Sequence, residues 1–491
     1  DGISSGTSAS VEPDAEGPRL QLGPGAHAHE AALHGLDDGG FHMRLRQQEE
    51  RLFEEVRGRM SAGDLSLLRE AAPTTSTVPR VGDLISLRFI DFDAPGRDYC
   101  NFFETREARV EAVSEQAIVV ADIESIGGPE LLTRADYERI ADDFDRKVFP
   151  LSERNFGPPA RQIGPPRTTI FYTPEVNRLG GTEGIVGGLF FTGDLIPRAE
   201  CEASNEREMF YMRTADPEGR FGPDVDADDI RFTTLATIMH EFQHLINASR
   251  RIYLLNAPSL EEIWLNEALS HIAEELLFYQ ESGLSPRQNI TLNQMLDQGR
   301  RQDALNRYQI QNLVRYFLYL LEVSNNTPID PDDALEMRGA AWSFLRYLAD
   351  HYADQDAVFF FDLVNSTRAG VPNLRNSLGV GDAEFEHRMR RWDVSNYADD
   401  LVANLDPFYR QPSWNFRATL PRFGLFFNLP ERFPLTSKRL RPDGQVSTGI
   451  RGGSAAFIRF AVPPGERATL TTEAGGEPPP ETVRGTLIRI R

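Results

Sequence analysis

The chain has 491 residues, of which 40% are hydrophobic and 26% charged, an ordinary globular balance with room for one to four domains and a large core. Its formal net charge of −22 argues against a nucleic-acid backbone as partner and against docking on anionic lipid, because both need clustered Lys and Arg. The two cysteines, Cys100 and Cys201, have no CxxC spacing, which excludes a cysteine-built zinc site and leaves their pairing open.

Residues 1 to 40 are rich in Gly, Ser, Ala, Pro and Asp and read as a disordered tail, whose His27, His29 and His34 fix no geometry. The chain starts on Asp1 rather than Met; a removed secretion signal is one explanation and a trimmed sequence another, and the first carries the expectation of an extracellular or cell-surface protein. Residues 41 to 79 read as a helical segment, with a charged helix over 43 to 71 whose apolar stripe is Leu45, Leu52, Phe53, Val56 and Met60. From 80 to 125, short β-like runs around Leu84, Leu87 and Ile90, then 101 to 110 and 117 to 122, predict a small β-domain. A sheet lobe follows over 126 to 231. It holds a helix over 134 to 148, a strand over 168 to 172, a strand ending in Phe190 and Phe191, and another over 208 to 213. Helical spacing then dominates a lobe over 232 to 400, in segments 232–252, 260–280, 307–323, 338–353 and 382–392. Residues 401 to 491 return to short runs at 424–428, 455–461, 467–471 and 486–490, as in a C-terminal β-sandwich-like domain. No apolar run reaches the roughly 18 residues of a membrane span; the nearest, Leu313 to Val323, is broken by Arg315 and Glu322.

The chemistry gathers in one stretch. His240-Glu241-Phe242-Gln243-His244 fits H-E-x-x-H, and Leu235, Ile238, Met239, Leu245 and Ile246 recur around it at helical spacing. Histidines at i and i+4 stand one above the other on a helix face, about 6 Å apart at Cβ, so two imidazoles can meet one zinc ion. Glu241 points beside such an ion, where a base acting on water belongs. A catalytic zinc needs a third protein ligand and an open position. The metzincin pattern would supply it with Gly at 247 and His at 250, but those positions hold Asn247 and Arg250. The helix after Ser259 and Glu262, a capping-box pattern, offers Glu267 on a face shared with Ile263, Ser270, His271 and Glu274. Glu274 and Glu275 otherwise read as a solvated helix face. Asp224, Asp226, Asp228 and Asp229 do not fit an EF-hand, since Asp229 and Leu235 stand where Gly and Glu are needed; an irregular Ca²⁺ site is the residual reading, beside a solvated acidic loop.

The pair HEFQHLIN and WLNEALSHIAEEL resembles the gluzincin zinc peptidases, and is most similar to the hyicolysin-like peptidase family M30. VGDLISLRFIDFD, GGLFFTGDL with SNEREMFYM, and RGAAWSFLRYLADHY are similar to the same family. The resemblance implies an α+β fold built on a thermolysin-like zincin catalytic domain, with a mixed sheet lobe and a helical lobe, one Zn²⁺ per chain, and a peptide or protein substrate; the sequence has no GxMEN-like amine-binding segment, which favours cleavage inside chains, and a monomer is expected. It implies His240, His244 and Glu267 as ligands and Glu241 as catalytic base. Asn266 and His271 are then expected to orient a ligand or touch substrate; His271 stands where many gluzincins have an aspartate. The related tyrosine that stabilises the oxyanion does not transfer, because Glu336 occupies its place before Gly339. Tyr308, Tyr347, His351 and Tyr352 are the candidates for that role. The alternative to an enzyme is a zinc-binding cell-surface protein that holds a peptide or partner without cutting it.

Overall fold

A computed structural model describes residues 39–59, 77–180 and 184–490. All but the last two residues of the expected disordered tail, the second half of the expected 43–71 helix with Met60, and Arg491 lie outside those residues. The chain enters as helix α1 (Gly39–Arg59) and then builds one six-stranded sheet from β1 (Leu84–Ile90), β2 (Phe103–Val113), β3 (Ala117–Asp122), β4 (Thr168–Tyr172), β5 (Gly188–Leu189) and β6 (Met209–Met212). The spatial order is β1-β2-β3-β4-β6-β5. The first three strands form an antiparallel meander with an irregularity between Val110 and Ala112; β3, β4 and β6 run parallel, and β5 closes the far edge antiparallel to β6.

The sheet corrects the expected boundary at residue 125. β3 pairs with β4 from Ala117↔Thr168 to Ala121↔Tyr172, so the runs expected as a separate small β-domain belong to the same sheet as the next lobe. The physical reason is visible in β3 and β4, which are buried along their whole length. Strands buried so completely need neighbours on both edges and cover on both faces. The cover includes α2 (Arg134–Asp143), which continues through a π-helical turn at Phe144–Val148 into α3 (Phe149–Phe156), where a single helix over 134 to 148 was expected.

The helical half centres on α5 (Ala227–Tyr253) and α6 (Ile263–Ser282), with α4 (Pro174–Leu179) behind in the sheet half. Asp226 caps α5 by accepting from the Asp229 amide. From Ile238 to Tyr253 every residue of α5 is buried, the mark of a core helix rather than a surface one. Helix α6 starts without the expected capping box: Glu262 is its N-cap and makes no side-chain cap. Its carboxylate instead accepts from Trp264 Nε1 at 2.6 Å. Gly283, in the left-handed region at φ 72, ends the helix. Helix α7 (Ile310–Leu321) packs on α8 (Leu335–Tyr352), which packs on α6. Gly339 lies inside α8 because a Cβ there would meet the Arg315 carbonyl carbon at 2.2 Å, so the two backbones touch. Cys100 and Cys201 are disulfide-bonded, which settles their pairing.

The C-terminal expectation fails differently. The run at 424–428, expected as a strand, falls in and just after a 3-10 helix, Leu420–Phe427. Among the described residues beyond it, the only strands are β7 (Lys438–Arg439) and β8 (Ile458–Arg459), each of two residues. Leu470, Leu487 and Ile490 are exposed. Alternation alone does not make a sandwich when no second apolar face is there to receive it. No helix among the described residues is long and apolar enough to cross a membrane.

Candidate metal centre

The i and i+4 spacing on α5 brings His240 and His244 to one face, with Nε2 atoms 3.1 Å apart. Glu267, one turn into α6, faces them: Oε2 is 3.4 Å from His240 Nε2 and Oε1 is 3.4 Å from His244 Nε2. Tetrahedral donors at ~2.0–2.1 Å from a zinc ion lie about 3.3–3.4 Å from one another, so the three side chains fit one such ion closely. All three are buried, and neither Glu267 oxygen accepts a hydrogen bond. A buried carboxylate left so is costly unless a cation answers it. This His/His/Glu group can hold a metal ion.

Each imidazole is fixed from behind. His240 Nδ1 lies 2.7 Å from Glu274 Oε1, and His244 Nδ1 lies 3.1 Å from Asn266 Oδ1. With acceptors on both Nδ1 atoms, the Nδ1–H tautomer turns each Nε2 lone pair toward the shared point. Burial pulls His240 down, but Glu267 and Glu274 outweigh it and hold the ring up at about 10 in the chain alone. A cation would therefore exchange for the Nε2 proton. Burial pushes Glu267 up, yet Arg338, His244 and His240 hold it well below the usual carboxylate range. Glu241 is buried beside the group, and burial pushes it up to about 7.

Glu274 and Glu275, expected on a solvated face, are both buried. Glu274 does the work sought at position 271: it binds His240, and its other oxygen lies 3.2 Å from His271 Nδ1. His271 thus steadies Glu274, with its ring 4.9 Å from that of His240. A second group, His240, His271 and Glu274, also meets the distance condition for a metal, but His240 meets Glu274 through Nδ1, away from Glu267. Glu275 serves packing, accepting from Trp414 Nε1 at 2.7 Å.

The oxyanion candidates are engaged elsewhere. Tyr347 donates to the Phe408 carbonyl, His351 Nε2 lies 2.8 Å from the Arg410 carbonyl, and Tyr352 stacks on Phe408. Tyr308 lines a cavity of about 590 Å³ to which no metal-group residue contributes. The aspartates 224, 226, 228 and 229 do not converge on a metal position among the described residues. The strand read at 208 to 213 has β4 along one side and, beside Tyr211 and Met212, β5 on the other, so the outer edge there belongs to β5.

Three side chains that sequence reasoning missed also stand here. Arg338 clasps Asp333, Nε to Oδ1 at 2.6 Å, and brings Nη1 within 3.6 Å of Glu267 Oε2. From α1, Arg46 brings Nε within 3.7 Å of Glu267 Oε1 and Nη2 within 4.0 Å of Glu241 Oε2. Glu49, one turn on, accepts from Arg46 Nη1 at 2.6 Å.

No family model matches the chain. It is similar to the neutral metalloprotease ShpI of Staphylococcus hyicus, 27% identical over 145 residues. That match spans 30% of this chain and 32% of that protein. The likeness is thus to part of a metalloprotease, and the His/His/Glu group is one that could hold a metal ion.

Proposed function

We propose that the chain is a zinc-dependent peptidase of the gluzincin type, most like the M30 family, that cuts inside peptide or protein chains. The reading assigns His240, His244 and Glu267 as zinc ligands and Glu241 as base. The observation that carries it is the convergence of two Nε2 atoms and one carboxylate at tetrahedral donor spacing, with a second buried carboxylate beside them.

Bound there, a zinc ion supplies Lewis acidity toward water and a substrate carbonyl. The chain's own residues do the rest. Glu274 and Asn266 hold the imidazoles in the ligating tautomer. Water adds to the scissile carbonyl carbon as Glu241 accepts one of its protons. Glu241 then gives that proton to the amide nitrogen as the C–N bond breaks, leaving a carboxylate and an amine. A pushed-up carboxyl suits both transfers. The Cys100–Cys201 disulfide supports an oxidising, extracellular setting.

The test combines metal analysis with peptide release from casein. One zinc per chain and slow, chelator-sensitive release are expected. Unchanged zinc content in Glu267→Ala would remove that ligand, and full release by Glu241→Gln would remove the base.

A further inference from the structure

The metal group is sealed. His240, Glu241, His244 and Glu267 are 7%, 2%, 1% and 0% exposed, and what covers them includes α1. The space left between α1 and the site helices, lined by Arg46, Glu49, Phe190, Thr192, Asn247 and Asn266, is a cavity of about 20 Å³. That is room for one water, against the roughly 300–1,000 Å³ of a ligand cleft. An extended peptide cannot reach Glu241 while α1 is in place.

The face that α1 turns inward is written for this position. His42, Leu45, Arg46, Glu49, Phe53 and Val56 share it and are all buried. A helix that only needed anchoring would carry an apolar stripe throughout; this one buries two charges in the middle of it, which is costly unless both are answered. Both are answered inside the cleft. Beyond its approach to Glu241 and Glu267, Arg46 donates Nη1 to the Phe190 carbonyl at 3.3 Å, and Glu49 Oε1 accepts from the Thr192 amide at 2.6 Å. Phe190 follows directly on the edge strand β5, Phe191 continues it in extended conformation at φ −118, ψ 113, and Thr192 opens the 3-10 helix Thr192–Leu195. The Phe190 carbonyl and the Thr192 amide flank that one extended residue, and Arg46 and Glu49 reach them from the same helix, as an added peptide would reach a strand edge. The side chains of Arg46 and Glu49 take the hydrogen bonds that a peptide backbone would make there.

We propose that α1 is an inhibitory segment of this chain, seated in its own substrate cleft by Arg46 and Glu49, and that its displacement opens the site. The proposal rests on the peptidase reading for the identity of what is excluded, an extended peptide. The covering itself stands on the contacts. Apparent affinity for any ligand of the site then falls by the fraction of molecules with α1 displaced.

The experiment uses the zinc-loaded full chain, a dansylated dipeptide hydroxamate as probe, and casein as substrate. Replacing both Arg46 and Glu49 by Ala removes charged hydrogen bonds and is expected to tighten probe binding roughly ten- to hundredfold and to raise casein hydrolysis in parallel. Arg46→Gln and Glu49→Gln, which keep size and remove one charge each, give smaller increases and guard against unfolding of the double variant. In the unmutated chain, saturating probe speeds amide exchange across residues 39–59. Equal probe affinity in all variants, loss of binding together with loss of hydrolysis in the folded single variants, or unchanged exchange across 39–59 with probe bound would each overturn the proposal. Tighter binding with no hydrolysis by any chain supports the covering and counts against the peptidase reading.

Discussion

Helix α1 and the stretch from Val462 onward both flank the body of the molecule, and they treat charge in opposite ways. Along α1, Arg46 and Glu49 are buried at 3% and 2% exposure and each contacts the interior. Beyond Val462, the described acidic and basic side chains are exposed, and Leu470 and Leu487 are exposed with them. A charge in water costs nothing and says little. A charge taken into the interior must be matched atom by atom, so its presence marks a place where selection has kept something other than packing.

The sharpest way to break this contrast is Glu241→Gln, a buried carboxylate in the site. The proposed roles predict peptidase activity lower by about 10²–10⁴-fold with zinc content unchanged, read by casein release and metal analysis. Next, replacing Cys100 and Cys201 together by Ser tests the body's own cross-link, which closes a separation of 101 residues. Stability should fall by about 2–5 kcal/mol in denaturant unfolding. Glu274→Ala should then weaken zinc binding by about 10–100-fold in competition with a chelating dye, because His240 loses its anchor. The matching change in the tail, Glu481→Ala, should leave zinc affinity where it was. The smallest effect belongs to removal of the residues from Val462 onward, expected to shift the thermal midpoint by less than about 2 °C. A larger shift would mean the tail packs more firmly than its exposure indicates.

Local pattern carried much of the site. The i, i+4 histidines and the apolar positions around them fix a helix face, and Glu267 follows from the face of the next helix. Strand β4 also appears at 168 to 172, where the sequence predicts it. What stayed hidden depends on contacts distant in sequence. Glu274 looks like any solvated glutamate until α5 is laid against α6, although its place seven residues after Glu267 put it on the same face. Arg46 lies 195 positions before Glu241 in the chain, and no periodicity in α1 reveals where that helix docks. The separate β-domain was misread because a strand pattern does not announce its neighbour. The C-terminal sandwich failed for a related reason: short alternating runs occur with no second sheet to cover them.

The sheet's other end shows what a permanent version of the α1 contact looks like. At β1, Arg88 gives its amide to Asn205 Oδ1 at 2.8 Å, and its carbonyl accepts from Asn205 Nδ2 at 2.9 Å. The loop bearing Asn205 is tethered nearby by Cys201 to Cys100. Unprotected strand margins invite self-association between copies. Here one margin is blunted for the life of the molecule, so uncovering the other exposes a single, short docking line, enough for a visiting chain and too little to seed a fibril.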